Sequence, residues 1–440
     1  MPDFPQQVNE LLLRLEDAGF AAFLVGGCVR DLLMGRQPVD WDVATAARPE
    51  QVLDLFAPDA LPTGLQHGTV TVRIGGRSFE VTTFRRDGIY RDSRHPDHVE
   101  FMASLEEDLS RRDFTINAMA MDRRGELTDP FGGQEDIRYE LLRCVGEPDR
   151  RLREDALRLM RGLRFAATLG LAIDGPTADA IHRHRELLRE IAVERIAVEL
   201  RKLLCGAFAA DILLAYSDVL AVVIPEIAPA IGFLQHNPHH CYDVWEHSVR
   251  AMAAVPPDPV VRFVLLLHDL GKPETFSVDE AGVGHFYNHG RASAGIAREV
   301  CQRLRLDRHT SETVERLVRC HDVEIPLTEK GIRRQLRRLG EEDLRRLLQI
   351  KRGDNLAQHP AYLGRQEHIR QLEQLLDVVL QEDQCFSLKQ MAVKGNDLLA
   401  LGMSGRAVGE ALDALLDLVV EGKLPNDREM LLLYVKEKLL

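Results

Sequence analysis

No stretch of this 440-residue chain comes near the roughly 20 consecutive apolar residues that a membrane span requires. The opening residues carry Asp3, Glu10, Glu16 and Asp17 where a secretory leader would carry basic ones. The chain is therefore expected to stay in the cytosol, with no membrane partner. Cysteine is sparse: there are seven, an odd number, and no two form a Cys-X-X-Cys pair. That pattern argues against both a zinc knuckle and a disulfide framework. Positive charge is in deficit, 56 Lys and Arg against 69 Asp and Glu for a net −13, which argues against nucleic acid as a partner unless the basic residues are segregated. No internal repeat and no low-complexity tract is present. What remains, 45% hydrophobic and 28% charged residues, is a globular composition, and the length suits two to four domains at roughly 150 residues each.

The basic residues are in fact segregated. Residues 150–202 hold 12 basic and 8 acidic side chains, a local +4, and residues 330–352 hold 9 and 3, a local +6. Two such stretches point either to a local anionic partner or to solvated helix faces laced with i,i+4 ion pairs.

The pattern of apolar residues divides the chain. Phe23-Leu24-Val25 is a short strand-like run ending at Gly26-Gly27, and Val29 to Met34 reads as a helix stopped by Gly35. Thr69 to Ile74, Gly75-Gly76 and Ser78 to Thr83 form a hairpin pattern. After about residue 140, apolar residues recur at helical spacing, as in Leu157, Met160, Leu163 and in Ile196, Leu200, Leu203, Leu204. Only Gly282 to Tyr287 reads as strand there, with Pro256-Pro257 and Gly271-Lys272-Pro273 as breaks between helices. The fold class is an α+β head, a small mixed sheet with helices, followed by an all-α body.

Within the head, Gly26-Gly27 between a strand and a helix lets a phosphate approach the backbone. Asp40 and Asp42 lie two apart, so on a strand both carboxylates face one side. Such a pair suits two Mg²⁺ ions about 4 Å apart, the arrangement for in-line displacement at phosphorus. Read together, Gly26-Gly27-Cys-Val-Arg30-Asp-Leu-Leu and Asp40-Trp-Asp42-Val-Ala-Thr45 resemble the first motif of nucleotidyltransferases that build RNA 3′ ends. Arg111-Arg112-Asp113-Phe-Thr-Ile-Asn117-Ala118, Asp129-Pro-Phe-Gly-Gly133 and Glu154-Asp155-X-X-Arg158-X-X-Arg161 resemble three further motifs, in the family's order. The resemblance is to the tRNA nucleotidyltransferase and poly(A) polymerase family, in particular its bacterial CCA-adding branch of the second class.

That resemblance implies template-independent addition of CCA to tRNA from CTP and ATP. Asp40 and Asp42 would hold Mg²⁺, and Gly27, Arg30 and Arg112 would cradle the triphosphate, since guanidinium matches phosphate oxygens. Asp113 or Asn117 would read the ribose. Glu80 is a candidate third carboxylate, although the pattern does not decide which face of the hairpin it occupies. Asp155 and Arg158, three apart on a predicted helix with Arg161 and Arg164 continuing the face, form an acceptor beside a donor. Cytosine and adenine present an amino donor next to a ring-nitrogen acceptor, whereas uracil and guanine present the reverse, so one Asp–Arg pair suits CTP and ATP. The charged segment Arg85–Pro96 matches a flexible loop of CCA-adding and A-adding enzymes that CC-adding ones shorten, and Thr63–Val72 resembles the tRNA-directed members. An A-adding enzyme or a poly(A) polymerase is the alternative within the family.

The body carries a second constellation. His247 lies on a helix, His268-Asp269 ends the run Phe263 to Leu267, and His289 and His321-Asp322 follow. Imidazole and carboxylate at helix ends suit a divalent or transition metal. The set resembles HD-domain phosphohydrolases, with metal ligands implied at His247, His268, Asp269, His289 and Asp322. A metal-dependent phosphohydrolase whose head docks RNA is thus a further alternative. The expected domains are a nucleotidyltransferase head over 1–140, a base-selecting and RNA-binding neck over 141–215, an HD-type metal domain over 216–355 and a helical tail over 356–440.

Overall fold

The structure is a computed structural model that describes residues 4–87, 99–101, 104–381 and 385–439. The chain forms two compact units, Met1–Pro225 and Glu226–Leu440.

The first unit is built on strands β1 (Ala22–Val25), β2 (Asp42–Thr45), β3 (Ala60–Gly64), β4 (Thr69–Ile74), β5 (Arg77–Thr83), β6 (Arg85–Asp87), β7 (Val99–Phe101), β8 (Ala120–Met121) and β9 (Leu127–Thr128). Seven of them make one mixed sheet in the order β3-β4-β5-β2-β1-β8-β9, while β6 and β7 pair separately. The predicted hairpin is β4–β5, with Ile74 opposite Arg77. Gly75 and Gly76, at φ 56° and 77°, form its two-residue turn, the left-handed geometry that matches strand twist. Alternation along the strands sends Leu24, Trp41, Val43, Phe79 and Val81 into one core beneath the helix Gln6–Asp17. Val25, Ala44, Phe84 and Ala120 face the other side, against Leu109, Ala118 and Val145. Asp42 is two residues from Ala44 and therefore lies on that second face.

The segment expected as a separate neck packs into the same unit as the head. It contributes the helices Pro148–Glu154, Leu157–Leu169, Gly175–His184 and Val193–Leu204. Within this segment Leu141–Leu142 pairs in parallel with Ala172–Ile173. Phe114 meets Phe165 edge to face with ring centroids 5.9 Å apart.

The second unit is helical apart from the hairpin Phe276–Val278 with Gly284–Phe286. Its longest element, Glu329–Leu356, changes direction at Gly340, φ 77°. The basic stretch 330–352 lies on this helix, and its cations meet carboxylates of the same unit. Lys330 and Arg334 pair with Glu421, Arg337 with Asp413, Arg345 with Asp377 and Arg352 with Glu373. Helices Arg365–Gln381 and Arg406–Val420 bring these acids against it. Of the two readings of this stretch, the ion-paired helix face fits the structure: the local +6 is largely answered within the fold.

Candidate active site

Chain geometry between β1 and the helix Gly27–Leu33 sets one edge of the site. Gly26 has φ 71° and ψ −128°, a conformation for glycine alone, and a Cβ there would stand 3.0 Å from Arg112 Nη1. Asp40 precedes β2 and Asp42 opens it, with Trp41 turned into the core between them. The period-2 argument therefore holds although the strand begins only at Asp42. In register, Asp42 stands beside Glu80 of the parallel strand β5. Glu80 thus shares the Asp42 face, and both line a groove with Arg112. Burial, and then the neighbouring Glu80 carboxylate, push the Asp42 carboxyl up to about 6, against the pull of Arg112. Carboxylates crowded in this way suit divalent ions, so the residues present fit Mg²⁺, with Arg85, Arg111 and Arg112 beside them on the groove.

Behind the carboxylates, the second-motif residues form a buried chain of bonds. Arg30 Nη1 donates to Asn117 Oδ1 at 2.8 Å, and Asn117 Nδ2 donates to Asp113 Oδ1 at 3.2 Å. Asp113 Oδ2 accepts from Arg161 Nε and Nη2 at 2.8 and 2.6 Å. Both Asp113 oxygens are engaged, the first also by the Phe114 backbone N–H at 2.8 Å. Burial would raise this carboxyl, but the Arg161 guanidinium outweighs it and holds Asp113 well below the usual carboxylate range. Arg30, paired also with Asp31 at 2.7 Å, is held rigid by the same chain. Arg111 and Arg112 both pair with Asp108, at 2.6 and 3.1 Å, so the partner of Arg112 is Asp108 and not the adjacent Asp113. The third motif has a structural part. Asp129 accepts from the Gly133 and Gln134 N–H groups at 2.8 Å each, and a Cβ on Gly133 would strike the Thr115 carbonyl at 2.3 Å.

The expected base-selecting pair is arranged differently from the prediction. Helix Pro148–Glu154 ends at Asp155, whose φ −141° and ψ 103° are extended, and a new helix begins at Leu157. Asp155 and Arg158 therefore do not share an i,i+3 helix face. Asp155 Oδ1 accepts from the Leu157 N–H at 3.1 Å, and Oδ2 lies 3.5 Å from Arg195 Nη2. The carboxylate partner of Arg158 is Glu154 at 3.0 Å, and its guanidinium also donates to the Arg151 and Arg111 carbonyls at 2.8 and 2.9 Å. Arg164 pairs with Glu199 at 2.8 Å and lies 3.7 Å over the Phe165 ring.

All the predicted residues Gly27, Arg30, Asp40, Asp42, Arg112, Asp155, Arg158, Arg161 and Arg164 nevertheless line one cavity of about 720 Å³. Its lining holds nine Arg and Lys against five Asp and Glu, a surplus of four positive charges in a chain of net −13. Arg195, Glu199 and Lys202, on the helix Val193–Leu204, were not singled out in the sequence. Their signal was present: a Glu four residues after an Arg within the basic stretch. The loop residues 88–96 lie outside the described residues.

The second cluster lies in the helical unit. His247, His268 and Asp354 offer ligand atoms within 4.8 Å of one another, as do His268, Asp269 and His321. Each ring is oriented by its Nδ1–H, donated to the backbone carbonyl of Ala357 (3.2 Å) for His247 and of Leu265 (2.7 Å) for His268. His289 and His321 donate likewise to Phe286 (2.8 Å) and Val318 (2.7 Å). All four Nε2 atoms therefore turn inward, the tautomer that backbone partners impose on metal-ligating histidine. His289 Nε2 and His321 Nε2 stand only 3.1 Å apart, and buried His268 Nε2 has no hydrogen-bond partner among the described residues, 3.3 Å from Asp269 Oδ2. Converging acceptors of this kind fit a bound cation. Asp322, expected as the final acidic ligand, is not among these converging atoms; Asp354 takes that place, its Oδ1 2.9 Å from His247 Nε2. Asp322 follows the end of the helix Arg308–Cys320 and is exposed, whereas Asp354 is carried inward by the last turn of Glu329–Leu356. Gly353 permits that approach, since a Cβ there would meet the Ala251 carbonyl at 2.6 Å.

Comparisons with known proteins match three segments of the chain. Residues 22–143 match the poly(A) polymerase head domain, residues 170–231 the probable RNA and SrmB-binding site of polymerase A, and residues 290–435 the putative domain 2 of tRNA nucleotidyltransferase. The CCA-adding enzyme of Lactobacillus helveticus is 46% identical over 239 residues, covering 54% of this chain and 60% of that protein. That of Geobacillus stearothermophilus is 51% identical over 205 residues, 47% of this chain and 50% of that protein. The chain thus spans between half and three-fifths of the length of these curated relatives. The Bacillus stearothermophilus CCA-adding enzyme, crystallised in complex with CTP, superposes with a TM-score of 0.77 at 32% identity, over 100% of this chain and 98% of that one. The Thermotoga maritima CCA-adding enzyme complexed with tRNA-CCA shares the fold, with a TM-score of 0.59 at 18% identity over 99% and 96% of the two chains.

Proposed function

The chain belongs to the family of CCA-adding enzymes, and we propose on that premise that it adds C, C and A to tRNA 3′ ends from CTP and ATP, without a nucleic-acid template. The observation that carries this reading is the single cavity that unites paired carboxylates with a positive surplus and an Asp–Arg wall. The 3′-hydroxyl oxygen of tRNA attacks the α-phosphorus in line, the bond to the β-phosphate oxygen breaks, and pyrophosphate leaves. Mg²⁺, when bound by Asp40 and Asp42 with Glu80 beside them, supplies charge for the attacking and departing oxygens. Arg30, braced by Asn117, and Arg112, braced by Asp108, orient the triphosphate. Asp155 accepts the amino group of cytosine or adenine, and Arg158 donates to the ring nitrogen. The basic surface of residues 150–202 meets the tRNA backbone, so binding weakens with salt.

Selectivity gives the test. With UTP or GTP, the Asp155 carboxylate faces a carbonyl and the Arg158 guanidinium faces an N–H, so neither contact to the base can form. Incorporation of either is expected to fall by about 10⁴-fold relative to CTP, read as kcat/KM with a tRNA transcript lacking its CCA. Comparable use of UTP would contradict base selection by these side chains. An A-adding or poly(A)-forming enzyme is the alternative, and the products separate them.

A second reading concerns the helical unit, and the converging His268, His289 and His321 Nε2 atoms favour it. We propose that His247, His268, Asp269, His289, His321 and Asp354 bind a divalent or transition metal, which when bound would polarise a phosphate ester for hydrolysis. Protein dialysed against Mn²⁺, Co²⁺ or Ni²⁺ is expected to retain at least one metal per chain by elemental analysis, and His268→Ala to lose it. At a free metal concentration of 100 Kd, ligation adds about 2.7 kcal/mol to the stability of the native state, so a chelator should lower the melting temperature. Equal metal content in the wild type and His268→Ala would overturn this assignment.

A further inference from the structure

The sheet of the first unit continues past the paired carboxylates. Its strand order puts β1, which leads into the helix Gly27–Leu33, on one side of β2, and β5 and then β4 on the other. On that second side lies a groove of about 340 Å³, lined in part by Glu80, Thr69 and Thr82, which meets the larger cavity at Asp42 and Arg112.

The sheet face beneath this groove carries hydroxyls. Asp42 stands beside Glu80, Glu80 opposite Thr71, and Thr82 opposite Thr69. Thr69 Oγ1 and Thr82 Oγ1 are 3.0 Å apart, and farther out Thr63 Oγ1 and Thr71 Oγ1 are 2.7 Å apart. Cross-strand threonine pairs are common in sheets, so pairing alone assigns no part to them. Their place and their unused bonding capacity do. Two hydroxyls offer two O–H donors and four lone pairs, and one mutual bond uses one of each. Neither the Thr69 nor the Thr82 hydroxyl has another partner among the described residues, and both side chains are half-buried on the groove. The pair therefore keeps a donor and acceptors for a ligand beside Glu80.

The reaction geometry says which ligand. In an in-line displacement the attacking and leaving oxygens lie on opposite sides of the phosphorus. With the triphosphate cradled at Gly27 and Arg30, pyrophosphate leaves on the β1 side of Asp42, so the 3′-hydroxyl enters from the side of β5 and β4.

We infer that the groove beside Glu80 seats the 3′-terminal nucleotide of the acceptor RNA, and that the Thr82 hydroxyl, backed by Thr69, hydrogen-bonds the sugar–phosphate backbone of that nucleotide. The inference rests on the nucleotidyl-transfer reading, which gives neither threonine a part. Thr82 is on this account a positioning residue: it holds the terminal nucleotide so that the 3′-oxygen points into the cavity, and it leaves the incoming nucleotide untouched.

The test follows CTP incorporation into a tRNA transcript ending at the discriminator base, with the full chain and Mg²⁺. Thr82→Val exchanges the hydroxyl for a methyl of similar size and suits a strand, whereas Thr82→Ser keeps the hydroxyl. In Thr82→Val, kcat/KM for the transcript is expected to fall about tenfold, the effect of one hydrogen bond made in the reacting complex, and in Thr82→Ser to stay within about threefold of wild type. CTP affinity, titrated calorimetrically without RNA, should be the same in all three proteins. An unchanged kcat/KM in Thr82→Val overturns the inference. So does an equal loss in both variants, which would place the effect in packing, and so does weaker CTP binding by Thr82→Val, which would place the threonine in the nucleotide cavity. A wild-type chain that incorporates neither CTP nor ATP overturns the nucleotidyl-transfer reading itself.

Discussion

Asp42→Ala is expected to reduce CTP incorporation by about 10⁴-fold or more while the protein still folds. Asp42 opens β2 on the sheet face that carries the groove, away from Trp41 and Val43 in the core, so removing its carboxylate leaves no apolar cavity. What is lost is ligand charge at the point where both the attacking hydroxyl and the leaving pyrophosphate develop negative charge. Burial and the proximity of Glu80 and Asp40 already push the Asp42 carboxyl up to about 6, so the variant also relieves repulsion, and a small gain in apparent stability is the expected direction. Residual incorporation above about one-hundredth of wild type, with contaminating polymerase excluded by a second purification, would mean that Asp42 does not hold the reactive charge. Metal retained by the histidine cluster of the second unit should not change in this variant.

Asp113→Ala is the second large effect, and it acts on both stability and activity. The carboxylate is buried, holds Arg161 through two bonds and orients Asn117, which in turn orients Arg30. Removing it leaves a guanidinium without its partner, a loss of roughly 3–5 kcal/mol for a fully buried pair. The Arg161 side chain is about one-third exposed, so the lower end, about 3 kcal/mol, is expected in a denaturant titration. The same bond makes an acid limit. Arg161 holds the Asp113 carboxyl below its ordinary value near 3.9, so the stabilisation is fully present above about pH 4 and is lost as pH falls through the depressed value. Wild-type stability should therefore decline below about pH 4 more steeply than that of Asp113→Ala. Parallel pH profiles for the two proteins would show that this ion pair contributes nothing.

The features legible in the sequence are those that depend on local periodicity. Asp40 and Asp42 flank a tryptophan, so alternation alone places both on one side. Gly75-Gly76 sits between two strand patterns at a spacing that only a tight hairpin satisfies. The family motifs single out Arg30, Arg112, Arg161 and Arg164, which line one cavity, although the partners of their guanidinium groups are not legible in the motifs. Those partners, Asn117, Asp108, Asp113 and Glu199, lie from 4 to 87 residues away along the chain. Nothing in Glu154-Asp155-Ala156 announces a helix break, for it contains no glycine or proline, yet Asp155 is extended between two helices. Asp354 was missed for a related reason. It lies 107 residues from His247, and only the packing of the long helix against the segment around Ala251 brings it to the cluster. Likewise, the carboxylates that answer Arg334, Arg337 and Arg345 come from helices 32 to 87 residues later. No pattern within one helix announces such pairs.

The most direct measurement of the central claim uses three tRNA transcripts, ending at the discriminator base, at CC and at CCA, each incubated with the protein, Mg²⁺, labelled CTP and ATP. The account predicts that the first grows by C, C and A, that the second gains a single A, and that the third is not extended. Extension of the CC transcript alone, or ladders of A on any of the three, would contradict it.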